Sequence, residues 1–185
     1  MEDPRWLDAD ETKTWLALVS LLIRLPAALD TQLQRDAGLS HFEYQVLSGL
    51  SMSPGRTLRM STLAKFADSS LPRLSQVIAR FEKRGWVCRS SDPEDGRYTL
   101  ATLTDDGFDK VMAAAPGHVS EVRRLVFDSL TKAQQRQLRA IGDRVIHTVD
   151  PDGSCPAAIA EGLPGGGATL DRNVGAGDEG REARR

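Results

Sequence analysis

The residues best suited to bind a ligand lie on the polar face of one short segment. Apolar residues recur at spacings of three and four along it, which predicts an amphipathic helix. Its inner face comprises Leu74, Val77, Ile78 and Phe81, and its outer face presents Arg73, Ser75, Gln76 and Arg80. Arginine can hold guanine or phosphate, glutamine can pair with adenine, and serine can bind a base edge or the backbone. The outer face therefore suits nucleic acid.

The flanking residues predict where this helix begins and ends. Ser69 and Ser70 can accept hydrogen bonds from its first N–H groups, and Pro72 falls in the first turn, where a missing N–H costs little. Both serines also stand at the end that would face a nucleic acid. Residues 82–85, Glu-Lys-Arg-Gly, place cations and a glycine at its C-terminus. A shorter amphipathic helix is predicted over residues 61–67, so the two form a helix-turn-helix.

A β-hairpin is predicted directly after the second helix. Residues 86–89 and 98–103 are rich in β-forming types, and turn-forming residues fill positions 90–97 between them. Asp95 and Arg97 fall near the tip, where Arg97 could reach a groove or phosphate beside the one that holds the helix. We therefore predict a winged helix-turn-helix. An ordinary α+β core with a solvated basic helix is the alternative.

Four motifs in this region resemble the multiple-antibiotic-resistance regulator (MarR) family. They are Leu58 to Ala64, Phe81 to Val87, the Asp95-Gly96-Arg97 triplet, and Leu103-Thr104-Asp105-Asp106-Gly107. The resemblance covers roughly residues 10–150. It implies that Asp95 orients Arg97 and that Arg97 enters a DNA minor groove. Leu71 and Pro72 depart from the Arg- or Gly-containing helix starts common in relatives, which bears on base preference rather than on fold.

The resemblance also implies a biological role. Members of the family are homodimers that bind a pseudo-palindromic double-stranded DNA operator, usually as repressors, and often release it when a small aromatic or phenolic molecule binds. The implied major-groove contacts are Ser69, Ser70, Arg73, Ser75, Gln76 and Arg80. A second interpretation keeps the fold without specific DNA binding: a winged-helix module that regulates through a protein partner.

The charge distribution agrees with a DNA-binding segment. The chain has 185 residues, 40% of them hydrophobic and 5% aromatic, and a net charge of −2. Residues 54–97 nevertheless carry nine Lys/Arg against five Asp/Glu, while residues 1–53 carry four against eight. Because local charge near phosphates releases counterions, an acidic pI does not exclude DNA binding.

The periodicity divides the chain into four parts. Residues 1–37 predict an N-terminal dimerisation helix, 38–104 the winged domain, 105–150 C-terminal dimerisation helices, and 151–185 a disordered Gly-rich tail. We expect a mostly helical fold with a small β-wing. Pro26 should bend or interrupt the first helix, and Pro116 should kink or break the helix after the wing. The apolar stripes of the first and last helices predict pairing across a two-fold axis, although packing within one chain is the alternative.

A ligand site is less well defined. Trp15, His41, Tyr44 and Gln45 come from the first two helices, and Arg89 lies on the strand leading to the wing. An aromatic wall with a cation would suit a small aromatic anion. An equally good interpretation places Trp15 in the core.

Other classes of function find little support. The sequence has no P-loop, dinucleotide fingerprint or nucleophile elbow, and its histidines are scattered, so we expect no enzyme, metal site or cofactor. No uninterrupted run approaches the roughly 20 apolar residues of a membrane span, and the N-terminus lacks a basic leader, which predicts a cytoplasmic protein. Cys88 and Cys155 are expected to be free thiols. Cys88 beside Arg89 leaves a thiol-based redox regulator as an alternative, although peroxide sensors of the family carry their reactive cysteine near the N-terminus.

Overall fold

A computed structural model describes residues 4–151, which form six α-helices and a small three-stranded sheet. The elements are α1 (Ala9–Ala37), α2 (His41–Met52), β1 (Thr57–Arg59), α3 (Met60–Phe66), α4 (Leu71–Lys83), β2 (Val87–Ser91), β3 (Thr99–Leu103), α5 (Asp105–Val122) and α6 (Lys132–Val149). The predicted fold class is confirmed: a mostly helical chain with a β-wing, which is the hairpin formed by β2 and β3. The predicted tail at 151–185 lies almost wholly outside the described residues, and so does Cys155.

The winged domain has one apolar core. The inner stripe of α4 is fully buried, as predicted, and it packs with Leu47 and Leu50 of α2 and Leu63 of α3. Phe81 at the end of α4 stacks obliquely on Trp86, with ring centroids 5.8 Å apart. This packing fixes α4 against the base of the wing.

The sheet has one strand more than the sequence predicted. β3 lies in the centre, with β2 and β1 antiparallel on either side. Thr57 pairs with Thr102 across β1 and β3, and Val87 pairs with Leu103 across β2 and β3. The sheet therefore joins the start of α3 to the wing.

Side-chain caps mark the starts of four helices. Asp8, Ser40 and Thr131 each form a capping box, with Glu11, Glu43 and Gln134 respectively three residues on. Thr104 caps α5 through the N–H of Gly107. A Cβ at Gly107 would collide with the carbonyl oxygen of Trp86, so only glycine permits this close approach of α5 to the wing.

Neither proline interrupts its helix. α1 continues as a helix through Pro26, and α5 continues through Pro116 to Val122, where a π-helical segment, Arg123–Phe127, follows it. Proline removes one backbone hydrogen bond from a helix. α1 packs against α5, and α5 also packs against α2, so these contacts offset the lost hydrogen bonds.

The first and last helices leave much apolar surface exposed. Leu22 and Ile23 of α1 are 61% and 66% exposed, and Ile141 of α6 is 61% exposed. Trp15 is 53% exposed, so the interpretation that placed it in the core of the single chain is wrong. Packing within the chain covers the C-terminal part of the α1 stripe, where Leu29 and Leu33 are buried, and leaves its N-terminal part and the α6 stripe exposed.

The composition of α1 also corrects one sequence argument. Its uninterrupted apolar runs are short, but an 18-residue window reaches a mean hydropathy of 1.4 with 17% of that window buried. By length and composition alone, α1 could cross a membrane. Such a helix near an N-terminus is weak evidence for a span, because core helices of soluble proteins and signal sequences can have the same length and composition.

Candidate nucleic-acid interface

The predicted contact residues of α4 lie on its solvent side, although several also make internal contacts. Arg73, Gln76 and Arg80 are exposed and Ser75 is half-buried. Ser70 is the N-cap of α4, and its hydroxyl accepts a hydrogen bond from the N–H of Arg73 at 3.5 Å. Ser70 therefore shapes the helix start in addition to facing solvent.

Arg73 and Arg80 both contact the first turn of α2. The guanidinium carbon of Arg73 lies 4.3 Å from the ring centroid of Phe42. Arg80 donates from Nη2 to Oε1 of Glu43 at 3.0 Å. Sequence reasoning missed both partners, because no local spacing connects the first turn of α2 with α4.

The tip of the wing holds the predicted Asp and Arg together. Arg97 donates from Nη2 to Oδ2 of Asp95 at 2.6 Å and from Nε to Oδ1 at 2.9 Å, while its side chain stays 84% exposed. These hydrogen bonds lower the pKa of the Asp95 carboxyl, which keeps it ionised at neutral pH. The arrangement presents an exposed guanidinium, hydrogen-bonded to a carboxylate, at the tip of the wing.

A second ion pair supports the turn of the wing where the chain leaves β2. Asp92 is 6% exposed; its Oδ1 accepts the N–H of Glu94 at 2.9 Å, and its Oδ2 accepts Nε of Arg59 at 2.7 Å. The guanidinium of Arg59 also lies 4.5 Å from the ring centroid of Tyr98. Asp92 before Pro93 is a turn signal in the sequence, but no local spacing indicates a partner on β1.

An open groove of about 220 Å³ separates the start of α4 from the wing. Ser75 and Leu71 line it from α4, Arg97 and Tyr98 from the wing, and Arg89 from β2. Arg89 is paired with Glu82: its Nη2 and Nε both donate to Oε2 of that carboxylate, at 2.6 and 3.0 Å. The groove therefore joins predicted contact residues of the helix to those of the wing.

The residues assigned to a ligand site are only partly brought together. His41 of α2 and Tyr44 surround His118 of α5, with ring centroids 6.0 and 4.5 Å from the His118 ring. We call these three residues the histidine cluster. Burial lowers the pKa of both histidines, and Nδ1 of His118 is buried without a hydrogen-bond partner. Sequence reasoning missed His118, which lies 77 positions beyond His41.

The other three residues of that assignment lie in different settings. Trp15 and Gln45 are exposed, and Arg89 contacts Glu82 and Ser75 beside the wing. Arg89, the cation expected near the aromatic wall, is thus paired with Glu82 instead. Cys88 is an exposed free thiol beside Arg89. Because Glu82 balances the charge of Arg89, that arginine favours the Cys88 thiolate less than an unpaired cation would.

Comparison with known proteins decides the family. The profile of the MarR family matches residues 37–97. A similar solved structure is that of Sco3205, a MarR family transcriptional regulator from Streptomyces coelicolor, in complex with DNA. The two sequences are 45% identical, and the alignment covers 82% of this chain and 94% of Sco3205, with a TM-score of 0.77. This chain belongs to the MarR family.

Two further MarR relatives define the extent of the match. AbsC from Streptomyces coelicolor is 32% identical over 80% of this chain and 97% of its own, with a TM-score of 0.73. The HTH-type transcriptional regulator YdcH of Bacillus subtilis is 34% identical over 80 residues, which are 42% of this chain and 54% of YdcH. The match thus spans about half the length of YdcH, whereas it covers nearly the whole length of both Streptomyces proteins.

Proposed function

We propose that this MarR-family chain is a cytoplasmic, homodimeric transcriptional regulator that binds a pseudo-palindromic DNA operator. The observation that carries the proposal is the pair of Asp95 and Arg97 at the wing tip, beside the exposed polar face of α4. A wing without a DNA partner has no need to hold an exposed guanidinium in one orientation. The similar protein Sco3205 has been crystallised in complex with DNA.

In this proposal the helix and the wing read adjacent grooves. The outer face of α4 enters the major groove with Ser69, Ser70, Arg73, Ser75, Gln76 and Arg80. Arg97 enters the neighbouring minor groove, where arginine favours a narrow and strongly negative channel. Two copies related by a two-fold axis would place their α4 helices on half-sites about one helical turn, roughly 34 Å, apart.

The exposed apolar faces of α1 and α6 support the dimer. Leu138, Ile141, Val145 and Val149 lie along one side of α6 and are 41% or more exposed. A single soluble domain rarely exposes so much contiguous apolar surface unless a partner covers it. Pairing through α1 and α6 would bury both faces and hold the two winged domains at a fixed separation.

Regulation by a small aromatic ligand completes the proposal. The chain acts as a repressor, and the ligand binds near the histidine cluster, between the dimerisation helices and the winged domain. The support is chemical: Tyr44 and His118 offer ring faces, and the unsatisfied Nδ1 of His118 offers a polar contact. A ligand there releases the operator if it binds the DNA-free conformation more tightly.

The proposal is tested by DNA binding of Arg97→Ala against a matched control. Arg123→Ala removes another exposed, ion-paired arginine, 3.3 Å from Asp128 and outside the proposed interface. We expect Arg97→Ala to weaken binding to the DNA upstream of the chain's own gene by about tenfold or more, with dimer mass and Tm unchanged. Arg123→Ala should bind like the wild type.

Each contrary result identifies another function. Equal, steeply salt-sensitive binding to operator and scrambled DNA would indicate only a non-specific basic surface. No DNA binding by the ligand-free protein would favour the winged-helix protein-interaction module. The thiol-based regulator would be favoured if oxidation abolished DNA binding and a reductant restored it, while oxidation had no effect on DNA binding by Cys88→Ser.

A further inference from the structure

The first turn of α2 contacts the proposed recognition helix at two points. Phe42 lies under Arg73, and Glu43 accepts a hydrogen bond from Arg80. Arg73 and Arg80 are seven residues apart, so they lie two turns apart on the same face of α4. Two adjacent residues of one helix therefore contact both arginines of the proposed major-groove surface.

Phe42 is well placed to orient Arg73 without using its hydrogen-bond donors. A guanidinium stacked on a ring keeps its N–H groups in the plane parallel to that ring, directed away from it. The ring is half-buried and packs against the core, so it provides a fixed support. Arg73 can therefore keep its fork of donors available for a phosphate or a guanine.

Glu43 holds Arg80 from a buried and fixed position. Its side chain is 11% exposed, and Oε2 accepts the backbone N–H of Ser40 at 2.9 Å in the capping box. Oε1 remains for Arg80, whose side chain is 52% exposed. These contacts lower the pKa of Glu43 despite its burial, so the carboxylate is charged at neutral pH. Only Nη2 of Arg80 is used, which leaves its other N–H groups for DNA.

The same turn of α2 is tied to the rest of the protein. The backbone N–H of His41 donates to Oδ1 of Asp30 in α1 at 2.7 Å, and its ring faces His118 of α5. The turn is thus held by α1 and α5 on one side and supports α4 on the other. An arginine that is already ordered loses less conformational entropy when it binds DNA.

We propose that Phe42 and Glu43 are positioning residues that orient Arg73 and Arg80 for DNA and so set the specificity of the recognition helix. This inference rests on the proposed function, since it needs α4 to bind DNA. Neither residue touches DNA itself. Both act through the arginine that each supports.

The test uses the full-length chain with Phe42→Leu and Glu43→Gln. Glutamine is also found at this position of capping boxes, so Glu43→Gln retains the helix cap while it removes the charge that attracts Arg80. Phe108→Leu and Glu121→Gln are matched controls. The guanidinium carbon of Arg56 lies 3.8 Å from the ring centroid of Phe108, and Glu121 forms an ion pair with Arg124 at 2.6 Å.

The DNA probe is the sequence that the wild-type protein selects from a random duplex pool. Each α2 variant should lose roughly three- to tenfold in affinity for that sequence, and less for scrambled DNA. The ratio of the two affinities therefore falls, whereas general unfolding would weaken both equally. The loss from Glu43→Gln should vanish in an Arg80→Ala background, as a double-mutant cycle requires for coupled residues.

A measurement without DNA separates this inference from the proposed function. ¹⁵N relaxation of the arginine Nε groups should show Arg73 and Arg80 ordered in the wild type, Arg73 mobile in Phe42→Leu, and Arg80 mobile in Glu43→Gln. Unchanged mobility, or affinity ratios within twofold of both the wild type and the controls, would overturn the positioning role while leaving the proposed function intact. A wild-type protein that selects no sequence would overturn both.

Discussion

Arg59 and Asp92 join two strands that are not neighbours in the sheet, through an Nε to Oδ2 hydrogen bond of 2.7 Å. Arg59 ends β1, directly before α3, and Asp92 follows β2 at the base of the wing tip. The central strand β3 lies between them. The pair therefore links the helix-turn-helix to the part of the wing that carries Arg97.

Loss of that link should displace the wing. In Asp92→Asn the side-chain oxygen can still accept the N–H of Glu94, but the charge that holds Arg59 is gone. We expect the free wing to sample more orientations, so that DNA affinity falls by about five- to tenfold, as for a lost charged positioning contact. The measurement is fluorescence anisotropy with the wild-type operator.

Asp105→Asn is the control for that prediction. Asp105 also pairs with an arginine, Arg56, at 2.8 Å, but its side chain is 97% exposed. Exposed ion pairs contribute little to stability because water and salt screen them. Asp105→Asn should therefore leave DNA affinity unchanged, and equal losses in the two variants would disprove a specific role for Asp92.

Ser70 should show separate effects on stability and on DNA binding. Ser70→Ala removes the N-cap of α4 and should destabilise the protein by about 1 kcal/mol. Ser70→Asp replaces one good cap with another, so stability should remain near that of the wild type, while the added negative charge repels phosphate. Urea unfolding and operator binding together check both. Tight DNA binding by a stable Ser70→Asp variant would place Ser70 outside the interface.

Ile141 tests the proposed dimer. Ile141→Lys puts a charge in the exposed apolar side of α6, where burying an unpaired ammonium would be costly. We expect the molar mass measured by light scattering to shift from dimer to monomer at micromolar concentration. Asp143→Lys, two residues along the same helix and on its opposite side, should remain dimeric. A dimer in both variants would mean that α6 is not in the interface.

The sequence predicted those parts of the fold that local chemistry determines. The Ser70 cap and the buried stripe of α4 depend on residues three or four positions apart, and both appear as predicted. The Asp95 and Arg97 pair is equally local. Spacing, cap chemistry and turn chemistry were sufficient for these features.

The missed features depend on contacts between distant parts of the chain. β1 has three residues, too few to show a period, and it exists because Thr57 pairs with Thr102. Arg59 and Asp92 are 33 positions apart, and Arg80 and Glu43 are 37 apart. Such partners become visible only when the folded chain brings their elements together. The same holds for the exposure of Trp15, because an apolar stripe looks alike whether it covers its own core or another surface.

The histidine cluster should make stability depend on pH above the range in which carboxylates titrate. Burial lowers the folded-state pKa of His41 and His118 below the value of 6.5 that applies in the unfolded chain. Just below pH 6.5 the unfolded state therefore binds more protons than the folded state. The stabilisation from keeping both rings neutral is fully present above pH 6.5 and is lost as the pH falls toward their folded pKa values.

Urea unfolding at a series of pH values from about 5.5 to 8 would measure this dependence. The wild type should lose stability on acidification below pH 6.5, and the double variant His41→Gln, His118→Gln should have a flatter profile because neither glutamine binds a proton. Stability that rises on acidification, or identical slopes in the two proteins, would mean that the buried rings do not control the response.

If the ligand proposed for this site binds neutral rings, its affinity should weaken over the same pH range, since protonation of His118 would then compete with binding.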